Sequence, residues 1–570
     1  MASEYDFIIV GSGPAGSALA YGLAQSSKGP KILILEAGGP NDDKNLRVDG
    51  QRWLTFQSKD MNWGYKTVPQ KHAANREIDY SRGKGLGGSS AINFGVFTAG
   101  ARGDYDEWAR LADDDSFDWE HAQAHLKQLE SFHAETPAGL DTSKYVAPKP
   151  EDHGSSGPLD VGFADEWESD LLPSMDLFDK AGFSLNPDHN SGNPIGASVL
   201  ISSAHKGSRS TAADLLKKLP DNVTIKTNST VQRVILEGKK AVGVEVDGVR
   251  YMAAKEVILS AGSLDTPRIL MHSGIGPADQ LAKHGISTIV DAPALGQGLR
   301  DHAFTLIAYK RTPESGSGRS SFYGTKNQAV QDAALEQWKI DGTGPWSKYA
   351  TEAVIGYFKL NESFTSSPEF LALPAAEQAY LNHETVPHYE VFTHFPLQWF
   401  IPNFPDEDLD YASFLVFLYN SQANGTVELQ SADPSVPLLF DPKFLEHEFD
   451  RRAAITSLRE VVNRIAESPE FSKDTVGTIA APPPSATDEE LLAYWQQTIA
   501  SSWHMTGTAK MGKPGAKDAV VDKDFRVFGI EGLRIADMSV VPVLASCHTQ
   551  AVAYITGLTA AEKLKKEHCL

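Results

Sequence analysis

The chain has 570 residues, too many for one hydrophobic core, so two or more packed regions are expected. Its composition, 41% hydrophobic and 22% charged, is that of an ordinary globular protein, and a formal net charge of −22 argues against nucleic acid or anionic lipid as a partner. Two cysteines, Cys547 and Cys569, supply neither a disulfide framework nor a thiolate metal site, and no stretch approaches the ~20 apolar residues of a membrane span.

The N-terminus, Met1-Ala2-Ser3-Glu4-Tyr5-Asp6, has no basic region and no long apolar run, which reads as intracellular and cytoplasmic. His568-Cys569-Leu570 is only a poor relative of a peroxisomal address. Phe7-Ile8-Ile9-Val10 is a continuous apolar run, as a buried parallel strand requires. Gly11-Ser12-Gly13-Pro14-Ala15-Gly16 follows and opens a helix of small residues. The first glycine makes the tight turn, the second lets backbone approach a pyrophosphate, and the third allows close helix–strand packing. The helix N-terminus then offers free N–H groups and a positive dipole end to the phosphates. A second strand, Lys31 to Leu35, ends in Glu36, 20 residues after Gly16, where a carboxylate accepts from ribose hydroxyls. Strand, glycine motif, helix, strand and acid in this order predict a Rossmann-type dinucleotide site, without separating FAD from NAD.

Two further glycine-rich blocks follow. One is Arg82-Gly83-Lys84-Gly85-Leu86-Gly87-Gly88-Ser89-Ser90-Ala91-Ile92-Asn93. The other, Gly262 to Gly276, comes directly after the strand-like Val257-Ile258-Leu259-Ser260-Ala261. Both permit close backbone approach to something flat or anionic. On these blocks, and on Leu295-Gly296-Gln297-Gly298-Leu299-Arg300-Asp301-His302 and Ser431-Ala432-Asp433-Pro434, the chain resembles the glucose–methanol–choline family of FAD oxidoreductases over nearly its whole length.

The resemblance implies an α/β fold: a Rossmann-type FAD domain assembled from residues 1–160, 226–315 and 501–570. An α+β substrate domain with an antiparallel sheet would come from 161–225 and 316–500. It implies that Gly87, Ser89, Asn93 and Gly95 line the flavin and its phosphates, and that Val231 meets the adenine. It also places Ala37, Ala261, Trp503, Asp537 and Thr549 at the cofactor. Members that bond FAD covalently use a histidine directly before the Asn93 position; here Ile92 stands there, so FAD is expected to be non-covalent.

Near the C-terminus, Thr487-Asp488-Glu489-Glu490 is a capping box opening a helix that ends near Ser501. The block His504-Met505-Thr506-Gly507-Thr508-Ala509-Lys510-Met511-Gly512 resembles the one whose first residue is the family's catalytic histidine, and the second active-site position falls on His548. A neutral imidazole is a suitable acceptor for an alcohol proton near pH 7, and flavin takes the hydride. His504 is therefore read as the base and His548 as the partner that orients the hydroxyl. A long helix from Thr549 to about Lys566 would have an apolar side of Val552, Ile555, Leu558 and Leu564, and would point its positive end at the flavin. Cys547 reads as a packing residue.

In the substrate region, His394 to Phe404 is rich in aromatics, equally suited to stacking an aryl or furan ring and to core packing. Pro313 to Ser321 has the composition of an entrance loop. The leading expectation is an oxidase of a primary alcohol, aryl or furanic, that passes electrons to dioxygen and forms hydrogen peroxide. Three alternatives stay open: a dehydrogenase with a quinone-like acceptor, a formate-like oxidase, and a cyanohydrin lyase. Formate-oxidising relatives carry an arginine where His548 stands, and a carboxylate needs that cation.

Overall fold

A computed structural model describes every residue except 1–4, 43, 316–321, 323–327, 348–352, 402–403 and 405–408. Most of the expected entrance loop, and Pro402 and Asn403 of the aromatic stretch, lie outside the described residues.

The N-terminal run forms β1 (Tyr5–Val10), followed by α1 (Pro14–Ala24) and β2 (Ile32–Leu35). All three are almost wholly buried, which is why they read as continuous apolar or small-residue segments. Next in this sheet come β3 (Val223–Lys226), β4 (Arg233–Glu237), β5 (Lys240–Val246) and β6 (Val249–Leu259). A seven-stranded sheet runs β3-β2-β1-β6-β5-β4, with Leu533–Ile535 added to β6. β1 pairs in parallel with β2 and with the end of β6, so Val10, Leu35 and Leu259 finish side by side. Their carboxyl ends form the edge where an open α/β sheet binds its ligand. From β6 the chain enters α2 (Gly262–His272).

A second seven-stranded sheet is antiparallel. It contains β7 (Ala303–Arg311), β8 (Val354–Phe358), β9 (Tyr389–Thr393), β10 (Tyr411–Leu418) and β11 (Thr475–Ala480), in the order β11-β7-β10-β9-β8, with Gly196–Val199 outside β8 and Ala500–Ser501 paired with β7. Side chains alternate across its faces. Phe304, Tyr357, Phe392, Leu415 and Phe417 share one face and one apolar cluster. Val354, Tyr389, Val391, Phe414 and Val416 point the other way into the main core. This sheet corrects two expected boundaries. Ala303–Arg311 is one of its inner strands and not part of a nucleotide segment ending at 315, while Val223–Lys226 lies in the nucleotide sheet. Apolar runs look alike in either sheet; pairing partners alone decide membership.

The capping box closes as expected: the Thr487 side chain accepts from the Glu490 N–H, and α3 spans Asp488–Thr498. The last helix, α4, spans Gln550–Glu567, shifted one residue towards the C-terminus from the expected Thr549 to Lys566. It is buried nearly all round from Gln550 to Ala561, not only along the expected apolar side. The reason is its contact with α1. A Cβ on Gly557 would lie 2.1 Å from the Ala15 carbonyl oxygen, and one on Gly22 2.7 Å from the Ala561 Cβ. The two helices therefore touch at glycine, with the first turn of α1 lying against the middle of α4.

Candidate active site

One cavity, with about 1770 Å³ of empty space including its mouth, joins the two sheets. At the nucleotide end it is lined by Gly11, Gly13, Pro14, Ala15, Glu36, Ala37 and Val231. Gly11 has φ +100°, and a Cβ there would meet the Ser260 carbonyl oxygen at 2.5 Å. A Cβ on Gly88 would stand 2.7 Å from the Gly13 Cα, so the two glycine loops touch backbone to backbone. Glu36 is buried and holds this end together. One carboxylate oxygen accepts from the N–H and hydroxyl of Ser12, at 3.0 and 2.8 Å; the other accepts from the N–H groups of Gly38 and Gly85, both at 2.9 Å.

Ser89, Asn93, Gly95, Ala261, Trp503, Asp537 and Thr549 line the middle and far end of the cavity. Asn93 is held on all sides, accepting from Arg52 and Arg209 and donating to Gln550. Asp537 binds the N–H of Gly262 at 2.9 Å and the Thr266 hydroxyl at 2.6 Å. Three expected cofactor residues stand behind the wall instead. Ser12 is turned to Glu36, Gly16 is pressed against the Gly11 carbonyl, and Gly87 takes φ +90° beside Ser90 and Thr211.

The residues present fit a dinucleotide. The α1 N-terminus, capped by no side chain and with no acid in its first turn, opens on the glycine end. The α4 N-terminus, equally uncapped, opens on the far end through Thr549 and Gln550. Each supplies N–H groups and a positive dipole to an electron-rich group.

At the far end the two histidines meet. The rings of His504 and His548 have centroids 4.9 Å apart and planes at 77°. Burial, with added repulsion from His548, His302 and Arg82, holds the His504 imidazole well below its ordinary pKa, so it is neutral near pH 7. Trp503 takes the left-handed conformation, φ +60°, and aims His504 into the cavity. That turn is clamped from three sides. Arg82 donates to the Trp503 carbonyl at 2.6 Å, Asp301 accepts the His504 N–H at 2.7 Å, and the Ser501 hydroxyl donates to Asp301. Burial raises Asp301 to about 7.

Several residues of this end had no role in the sequence reading. Glu390, on β9, is fully buried and lies 3.1 and 3.2 Å from His548 Nε2 through its two oxygens; the Tyr419 hydroxyl donates to it as well. Asp301 and His302 end the run Leu295 to His302, whose sequence pattern gives neither a partner. For Glu390 no local signal exists, since Tyr389-Glu390-Val391 is an ordinary strand sequence. The opposite wall is aromatic: Phe56, Phe94, Phe304, Phe392, Phe395, Phe400 and Phe417. The aromatic stretch thus divides its work, with Phe395 and Phe400 facing the cavity and Leu397 packed against Ala308 and Tyr411. Cys547 is fully buried, and burial pushes its thiol well up.

Family descriptions named GMC oxidoreductase match residues 5–304 and 421–557. The chain belongs to this family. It is an FAD-dependent oxidoreductase acting on CH–OH donors. This GMC oxidoreductase is similar to a pyranose dehydrogenase of Agaricus campestris, 31% identical over 99% of this chain and 94% of the relative. Its structure is similar to that of a formate oxidase from Aspergillus oryzae, with TM-score 0.88 and 27% identity, covering 100% of this chain and 99% of that one. A fungal aryl-alcohol oxidase shares the fold, with TM-score 0.84, 24% identity and full coverage of both chains. Among the described residues, no helix is long and apolar enough to cross a membrane.

Proposed function

We propose that this protein is an alcohol oxidase whose substrate is a primary alcohol on an aryl or furan ring. The observation that carries the reading is the convergence of His504 and His548 beneath an aromatic wall. FAD, when bound, supplies the hydride acceptor, and dioxygen reoxidises it with release of hydrogen peroxide. His504, neutral and buried, accepts the hydroxyl proton. His548, fixed by Glu390 at one ring nitrogen, presents its ring to the hydroxyl and orients it. Phe392, Phe395, Phe400 and Phe417 stack or edge against the ring of the substrate and exclude water.

The wall also argues against other donors. A sugar carries hydroxyls all round, and these phenylalanines leave them unsatisfied. A carboxylate substrate meets Glu390 beneath His548, where an arginine would be required. The likeness to a pyranose dehydrogenase keeps one second reading, the same alcohol chemistry with a quinone-type acceptor. Ile92, buried at the cavity wall, leaves FAD without a covalent histidine partner at that position.

The test is a screen of benzyl and furfuryl alcohols with the FAD-loaded enzyme. Anaerobic bleaching of the flavin followed by stoichiometric peroxide in air supports an oxidase. Bleaching with dye reduction but no peroxide supports the dehydrogenase, and flavin that stays yellow with every alcohol overturns both. Acid denaturation should release the yellow cofactor into the supernatant.

A further inference from the structure

His504 has two ring nitrogens, and one of them is already engaged. Its Nδ1 lies 3.1 Å from the Ser502 hydroxyl oxygen and 3.0 Å from Nδ1 of His302. Each contact alone is ambiguous, because either partner can hold the hydrogen. Bond counting removes the ambiguity. The Ser502 hydroxyl has a single hydrogen, which it donates to the His302 carbonyl at 2.8 Å. Towards His504 the Ser502 oxygen has only lone pairs, so it must accept. His504 Nδ1 is then the donor, and the same N–H points at His302 Nδ1, which accepts in turn.

We infer that Ser502 and His302 form a tautomer lock: they hold the proton of His504 on Nδ1 and leave the lone pair of Nε2 free for the substrate hydroxyl. Both residues are positioning residues, since they act on the reaction only through His504. The lock needs His302 neutral. Burial and the neighbouring His548 hold it so, as they do His504. It also needs His302 fixed. His302 is fully buried, its ring set at 75° to that of Tyr419 with centroids 4.2 Å apart; with Nδ1 accepting, the lock assigns its hydrogen to Nε2, which finds no hydrogen-bond partner among the described residues. A buried N–H left unmatched is unfavourable. The lock assigns His302 this cost in exchange for fixing the tautomer of its neighbour.

The dipeptide Asp301-His302 thus holds His504 twice. Asp301 fixes its backbone N–H, and His302 fixes its imidazole proton. An unconstrained neutral histidine carries its proton mostly on Nε2, which in this site would present a donor to the alcohol instead of a base.

The inference rests on the proposed role of His504 as base, but its test does not depend on turnover. The FAD-loaded protein is prepared with 15N-labelled histidine, and the His504 signals are assigned by their loss in His504→Gln. Nitrogen shifts then report which ring nitrogen bears the proton between pH 6 and 8. In the wild type, His504 should show a protonated Nδ1 and a bare Nε2. In the double variant Ser502→Ala/His302→Phe, the ratio of the two tautomers should shift at least about tenfold towards Nε2–H. A wild-type His504 protonated at Nε2, or a double variant that keeps the Nδ1 proton, overturns the lock. The wild-type spectrum decides even if the double variant fails to fold. A protonated Nδ1 with no flavin reduction by any alcohol would sink the proposed function and spare the lock. Rapid reduction with an Nε2 proton would do the reverse.

Discussion

The two ends of the cavity are built by different means. The nucleotide end is made of backbone: glycine loops touch at Gly13 and Gly88, Gly11 turns under Ser260, and one buried carboxylate, Glu36, gathers four donors from three loops. The alcohol end is made of side chains held by other side chains: His504 by Asp301, Ser502 and His302, and His548 by Glu390. A site made of backbone tolerates no added atom. A site made of side chains tolerates substitution in its structure and fails in its chemistry.

The largest effect should come from breaking the first kind. Gly11→Val places a branched side chain within 2.5 Å of the Ser260 oxygen at a left-handed position, and the purified protein should carry no flavin absorbance at 450 nm, as a spectrum shows directly. His504→Ala should do the opposite: full flavin content, but anaerobic reduction by alcohol slowed by more than about a hundredfold in stopped flow. Near-normal reduction would remove His504 from its role. Glu390→Gln keeps the volume and removes the charge beneath His548, so reduction should slow by roughly tenfold with flavin retained, about 1.4 kcal/mol of barrier. An unchanged rate would leave Glu390 a packing residue.

Phe400→Leu, at the half-buried part of the wall, should lower kcat/KM for aryl alcohols by about 2- to 12-fold, the equivalent of 0.5–1.5 kcal/mol, and spare aliphatic ones. Equal losses on both would deny the ring contact. The smallest effect concerns stability. His153 is buried between Glu130 and Asp188, whose charges raise it to about 9 despite the opposing effect of burial. The folded pKa exceeds the ordinary 6.5, so its contribution is full below pH 6.5 and is lost as pH rises through about 9. Thermal scans should show a fall in Tm over that range that His153→Leu abolishes.

The contrast also explains what was legible. Strand β1, the glycine turn, α1, β2 and Glu36 lie within one short segment, where spacing alone specifies a local geometry. The capping box at Thr487 was readable for the same reason. His504 and His548 were found through resemblance, because neither neighbourhood states its partner. Glu390 was not found: it reaches His548 across 158 residues, through the pairing of β9 with β10 and the seating of α4 on α1. The same holds for β7, whose apolar run is compatible with either sheet.

By itself the sequence determined the dinucleotide fold and the glycine turns of its nucleotide end, because a turn needing glycine and a helix needing a cap are decided by neighbours along the chain. Only the tertiary structure decided the half that does chemistry. It chose the sheet for β7, turned Glu390 under His548, and brought His302 and Ser502 to one nitrogen of His504. These contacts depend on strand register and helix seating, and such long-range packing leaves no pattern in the residues that make it.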